Sequence, residues 1–358
     1  MNKFGSGYQL IITLKRTDLK INPVLNTLID TVNNINDKPL FCPAIYDLKA
    51  KLAGRSPSDF GFHEEEIIIA LEKEIEFLDL KIVTSAYDIY NIEAEAVGAE
   101  VTREGHYMPD IKIPLLNSPD DISHLNRIES PSGRMNIFIN AAKSVIGKYN
   151  SGVYIRCGIS GPFSMASKIY FGDKLLTDCV LNSDKVMELL DYCTKTIKIY
   201  LKGIIQNEID VVVFDSFASP PLISPEIYRD IVFPFHKELF DYLREQDIVY
   251  RPLILGGNSY LLLDNLINTG ANSFLLDYNV NDSIREKTLM KYENSAFRIN
   301  IDPSLICNGN HLSISEYLQY FLKRFGKYKN IIFGTGILPY NTPLENLKQI
   351  NQSIKDFF

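Results

Sequence analysis

Five side chains able to do acid–base or hydrogen-bonding chemistry fall where short apolar runs end. Asp88 closes the run 81–88, and Asp215 lies at the end of 211–216. Asn258 follows 250–256 directly after Gly256 and Gly257, Asp277 lies at the end of 273–278, and Asp302 closes 297–302. Carboxylates gathered at one mouth repel one another and perturb one another's protonation, as an enzymatic acid or base requires. Asp88 and Asp215 are the candidates to orient or protonate a substrate. Asn258 is the candidate to hydrogen-bond it, its preceding glycines allowing close backbone approach. Asp277 and Asp302 complete the candidate catalytic set. A strand-end carboxylate can instead turn into its loop and cap the next helix.

The elements that must position these groups are eight apolar runs, 40–46, 81–88, 153–160, 211–216, 250–256, 273–278, 297–302 and 331–336. Most are rich in Val, Ile, Leu and Phe, as strands covered on both faces should be. Helical spacing separates most of them. Ile67, Leu71, Ile75 and Leu78 share one face of 63–79. Ser183 is expected to cap a helix carrying Val186, Leu189, Leu190, Cys193 and Ile197. Pro225 opens another helix, which Pro234 should kink, and a last helix runs from about 342 to 358. Strands alternating with helices form right-handed βαβ units, and eight of them predict an α/β fold, a single-domain (β/α)8 TIM barrel over 1–358. The active site of such a barrel lies at the C-terminal strand ends. The polar segment 98–151, with Pro109, Pro114, Pro119 and Pro131, is expected to be an irregular excursion over one face.

Composition narrows the function. With 46% hydrophobic and 23% charged residues, the chain has material for a large core. A net charge of −7, with scattered Lys and Arg, argues against nucleic-acid binding. No apolar run is long enough for a membrane span, and Leu10-Ile11-Ile12 is too short for a signal peptide. Five widely spaced cysteines without a CxxC pair read as reduced thiols in a cytoplasmic protein. Cys157, just before the Gly158–Gly161 turn, is the thiol to watch. His63, His106, His124, His236 and His311 form no ligand cluster of recognisable spacing.

Several segments, in order, resemble the uroporphyrinogen decarboxylase superfamily. They are Tyr87-Asp88-Ile89-Tyr90-Asn91-Ile92-Glu93-Ala94-Glu95-Ala96-Val97-Gly98, Gly158-Ile159-Ser160-Gly161-Pro162-Phe163-Ser164, Phe214-Asp215-Ser216 with Leu222-Ile223-Ser224-Pro225, Asn300-Ile301-Asp302-Pro303, and Gly336-Ile337-Leu338-Pro339-Tyr340-Asn341-Thr342-Pro343. One branch of the superfamily is the cofactor-free decarboxylases, which hold a tetrapyrrole's acid groups with N-terminal arginines. Asp88 falls at that branch's strand Asp, but only Arg55 stands in the arginine region, Lys168 replaces its Tyr, and Gly334-Thr335-Gly336 replaces Gly-His-Gly. The other branch is the corrinoid-dependent methyltransferases, which the phrase with Glu93 and Glu95 and the segment 50–60 resemble more closely. That branch's zinc ligands, His-x-Cys and a later Cys, correspond here to Ile254, Gly256 and Thr335, so zinc is not supported at the usual site.

The resemblance implies a methyltransferase moving a methyl group between a small-molecule substrate and a corrinoid (methylcobalamin) carried by a partner protein, with a homodimer as the family expectation. Without a zinc thiolate the substrate need not be a thiol, and a methylated amine or ether activated by protonation is admissible. A metal-independent decarboxylase or lyase on a small acid, or a non-catalytic binding protein of the same fold, are the alternatives.

Overall fold

Side chains alternate along a strand, and here that alternation divides each barrel strand between a helix-facing and an inward face. The computed structural model describes residues 22–149 and 152–358, so the run Leu10-Ile11-Ile12 lies outside the described residues. Each expected run contains a strand: β1 (Phe41–Ala44), β2 (Ile82–Ser85), β3 (Tyr154–Ser160), β4 (Asp210–Phe214), β5 (Leu253–Ile254), β6 (Ser273–Leu276), β7 (Ala296–Ile301) and β8 (Ile331–Ile337). All ladders are parallel. They form two runs, β1-β8-β7-β6 and β2-β3-β4-β5. A bridge between Pro252 and Ser273 joins β5 to β6, and β1 lies beside β2. The result is the (β/α)8 barrel.

Val83, Ile155, Cys157, Val213, Phe274, Ile299 and Phe333 join the core shared with the surrounding helices. Inside the barrel, Cys42, Ile82, Tyr154, Tyr250, Ala296 and Ile332 form a lower layer. The helix Pro23–Val32 packs Val24 and Leu28 into that layer, which fills the N-terminal end. Ala86, Val212, Phe214, Ile254 and Leu275 form a second apolar layer. Pro43 lies in a register break between β1 and β8, where the Ala44 N–H donates to the Thr335 hydroxyl at 3.0 Å.

The helices follow the expected pattern with three differences. The helix Ser183–Gln206 starts at Ser183 itself; Asn182 precedes it, and no side chain caps it. The segment 98–151 is not irregular throughout, because Arg134–Lys148 is a helix that buries Met135, Phe138, Ile139, Ala142 and Val145. Pro234 acts by widening rather than kinking. Its missing N–H leaves the preceding turn without an ordinary helical bond, and Tyr228–Val232 is a π turn before the helix Phe233–Glu245.

Candidate active site

The C-terminal strand ends surround a cavity of about 670 Å³. Phe214, Ile254 and Leu275 give it an apolar base, and Tyr46, Tyr87, Tyr90 and Tyr278 line its sides. Tyr107 and Ile337, both well exposed, lie at its rim. Lys168 donates to Asp110 at 2.5 Å, and both residues line the opening.

Of the five residues singled out from the sequence, Asp88 and Asp277 reach this cavity. Asp88 is buried and accepts from Arg134 Nη1 at 2.6 Å and from Asn91 Nδ2 at 3.2 Å. Burial raises its carboxyl above the ordinary range, with Arg134 pulling the other way. Arg134 also donates to Glu95 at 2.5 Å, so one guanidinium ties two acids of the helix Ile89–Ala96 and its cap. Asp277 accepts from Asn300 Nδ2 at 3.3 Å and from the Gly257 N–H at 3.3 Å.

The other three lie elsewhere, for identifiable reasons. Phe214 points inward, so Asp215, one residue later, faces the helices. There it is fully buried and accepts from the N–H groups of Phe163 (3.2 Å) and Ser164 (2.6 Å), at the start of the helix Pro162–Ile169. His236 Nε2 lies 2.7 Å from its Oδ2, and His236 Nδ1 lies 2.8 Å from the Tyr228 hydroxyl. Gly161 is a steric necessity beneath this carboxylate, since a Cβ there would stand 2.3 Å from Asp215 Oδ2. Asn258 is exposed on the turn before Ser259–Leu262, with its N–H donating to Pro220 O at 3.1 Å. Asp302 caps the helix Pro303–Asn308 by accepting from the Ser304 N–H at 2.8 Å. Cys157 faces the helix layer, 3.8 Å from Phe138 O, and burial pushes its thiol up.

Two cavity groups, Asp47 and Arg298, and Arg134, which braces Asp88 from outside the lining, escaped the sequence reading. Asp47 directly follows the apolar run 40–46, in the first turn of the helix Tyr46–Ala53, so the rule applied to the acids at the other run ends would have found it. Its Oδ1 is buried without a partner, and burial raises its carboxyl. Arg134 comes from the segment expected to be irregular, and helical spacing of Met135, Phe138 and Ile139 was its signal. Arg298 alternates with Phe297 and Ile299 in a strand buried along its whole length, which marks a buried charge.

The residues that the resemblance sets at the methyltransferase branch's zinc positions do not fit that ion. Ile254 and Gly256 line the cavity without a donor atom, and the Thr335 hydroxyl accepts from Ala44. Among the described residues, no group of three or more His, Cys, Asp and Glu side chains is arranged to hold a metal. No helix among them is long and apolar enough to cross a membrane.

Comparison with known proteins agrees with this architecture. The Methylcobamide:CoM methyltransferase MtbA of Methanosarcina acetivorans is 25% identical over 289 residues, 78% of this chain and 81% of that protein. A uroporphyrinogen decarboxylase of Prochlorococcus marinus is 29% identical over 249 residues, 66% of this chain and 69% of that protein. The solved structure of a methyltransferase from Methanosarcina mazei superposes with a TM-score of 0.78 at 20% identity, covering 92% of this chain and 98% of its own, a likeness of fold. The family model for Uroporphyrinogen decarboxylase (URO-D) matches residues 49–357. An eight-stranded barrel with an open C-terminal cavity, matched by that model over nearly its whole length, belongs to the uroporphyrinogen decarboxylase family.

Proposed function

We propose that this chain is a methyltransferase that moves a methyl group between a small molecule held in the barrel cavity and a corrinoid carried by a partner protein. The observation that carries the reading is the extent of the methyltransferase match, 78% of the chain against 66% for the decarboxylase. A second observation weighs against a substrate with many carboxylates. Such a substrate needs an arginine clamp, and Arg55 is instead half-exposed and paired with Glu66 at 2.7 Å.

When docked, the corrinoid supplies the cobalt centre that gives up or receives the methyl group. The chain's own residues do the rest. Tyr46, Tyr87, Tyr90 and Tyr278 present aromatic surface around the reacting groups. Asp277, steadied by Asn300 and the Gly257 N–H, orients the substrate. Asp47, whose carboxyl burial keeps protonated to higher pH, donates the proton that activates a methylated amine or ether. Asp88, locked by Arg134, holds the adjoining strand end after β2.

The test follows the corrinoid spectrum of methylcobalamin and of cob(I)alamin mixed with the protein while thiols, methylated amines and methyl ethers are offered. A substrate-dependent change in the cobalt spectrum is the expected result. No response to any class rejects the reading and favours a lyase acting on a small acid, the chemistry of the decarboxylase relatives.

A further inference from the structure

The ladder between β6 and β7 ends at the pair Leu276 and Ile299. The next pair in that register is Asp277 and Asn300, and both line the cavity. Their side chains meet there, Asn300 Nδ2 donating to Asp277 Oδ1 at 3.3 Å while the Gly257 N–H donates to Asp277 Oδ2 at 3.3 Å. Both bonds are long, so they follow the backbone rather than fix it. The one short contact to this carboxylate, from the Tyr278 N–H at 2.8 Å, comes from the next residue and moves with it.

Arg285, 2% exposed and outside the cavity lining, reaches the same two residues from the helix Asp282–Lys291. Its Nη2 donates to Asp277 O at 2.7 Å and to Asn300 O at 3.0 Å. One nitrogen therefore bridges two neighbouring strands just past the point where their own ladder stops. The Val280 N–H also donates to Asp277 O, at 3.0 Å, but within the same turn; Arg285 ties it across to Asn300. On its other arm, Nη1 donates to Asp282 Oδ1 at 3.2 Å, and the Tyr320 hydroxyl holds Asp282 Oδ2 at 2.7 Å. The planar fork carries two N–H groups on each terminal nitrogen, which lets one side chain hold two carbonyls and a carboxylate at once. A buried ion pair is a weak source of stability, because desolvation offsets much of its attraction. What this guanidinium supplies that an apolar side chain could not is a set spacing between two main-chain carbonyls.

We propose that Arg285 is a positioning residue: by setting the spacing of the Asp277 and Asn300 main chains, it aims the Asp277 carboxylate into the cavity. This rests on Asp277 orienting the substrate of the proposed methyl transfer. A misplacement of about 1 Å in such a group costs on the order of 100-fold in rate, and Arg285 governs that placement without touching the substrate.

Full-length wild type, Arg285→Met and His236→Ala are compared by amide hydrogen exchange resolved at Gly257, whose acceptor is the Asp277 carboxylate. His236, outside the cavity lining, controls for lost stability. Arg285→Met should speed exchange at Gly257 about 10-fold, and His236→Ala should leave it unchanged. In the corrinoid assay, with the compound that gives the cobalt response, Arg285→Met should lower kcat/KM about 10- to 100-fold. In an Asp277→Asn background the same substitution should change it less than about 3-fold, since its route to the substrate is gone. Arg285→Lys, which keeps a cation but gives up the fork, should show both effects at smaller size and serves if the Met variant does not fold. Unchanged Gly257 exchange in the Arg285 variants, an equal acceleration in H236A, or a loss that persists in full in the D277N background would overturn the assignment. Faster Gly257 exchange without any corrinoid response would reject the methyl-transfer reading and leave the Arg285 brace standing.

Discussion

The carboxyl of Glu93 receives both the backbone N–H and the hydroxyl of Ser160, each at 2.7 Å. Ser160 Oγ also lies 3.2 Å from Ile89 O. Once Glu93 is protonated, its own O–H donates to Ser160 Oγ, whose proton is then free for Ile89 O. Burial pushes this carboxyl up to about 7, against the lowering effect of the Ser160 bonds. The folded state therefore holds its proton more tightly than the unfolded chain. The resulting stability is fully present below the unfolded value near 4.5 and is lost as pH rises through about 7. The loss is on the order of 3 kcal/mol at most. Glu93→Gln keeps the acceptor and supplies a permanent donor, so its urea-unfolding free energy should exceed wild type above neutrality and vary less with pH. Asp47, Glu74 and Asp88 are raised in the same sense, so part of the slope remains. Identical slopes for wild type and variant would remove Glu93 from this account.

The Asp215–His236 pair is expected to act on stability rather than on the reaction. His236→Ala leaves a fully buried carboxylate short of one donor and should cost about 3 kcal/mol in denaturant unfolding. Gly161→Ala drives a methyl group into Asp215 and should destabilise by a similar mechanism. The fraction of either variant that remains folded should keep the wild-type KM, measured in the corrinoid assay. A changed KM at full stability would return Asp215 to the reaction.

Asp47→Asn separates proton donation from packing. Its carboxyl oxygen has no buried partner to lose, so stability should hold. Methyl transfer from a substrate that needs protonation should fall about 100-fold in kcat. Full activity in this variant would leave the proton to another group.

Zinc content tests the reassigned metal positions. A Cβ at Gly256 would meet Ser216 Oγ at 3.8 Å and Asp277 Oδ2 at 4.0 Å, ordinary contacts, so a side chain fits there. Elemental analysis of wild type should find no stoichiometric zinc, whereas the triple variant I254H/G256C/T335C should take up about one ion per chain. If the triple variant stays metal-free, these positions do not superpose on the family's zinc ligands.

Much of the barrel was legible because a strand covered on both faces writes itself as a continuous apolar run, and each of the eight runs contains a strand. Which strand-end acid enters the cavity depends on parity, and a single residue reverses it. Asp277 lies two positions beyond inward Leu275, while Asp215 lies one beyond inward Phe214. Asp302 shares the inward parity of Arg298 and Asn300, yet a helix start captured its side chain. Arg134 could not be paired with Asp88 from sequence, because 46 residues separate them and the helix carrying it was not expected. His236 reaches Asp215 on a helix preceded by the π turn Tyr228–Val232, a geometry that residue spacing alone does not disclose.

The strand ladders end in two runs of four, and the cavity draws on both. Arg298, Asn300 and Asp277 belong to the half containing β6, β7, β8 and β1, whereas Asp88, Phe214 and Ile254 belong to the half containing β2 to β5. A molecule that touches both sets spans the side between β1 and β2, where no ladder forms among the described residues, and the side between β5 and β6, which the Pro252–Ser273 bridge joins. A guest that bridges the two sets is expected to slow amide hydrogen exchange along those two sides, and exchange unchanged by a bound ligand would remove that coupling.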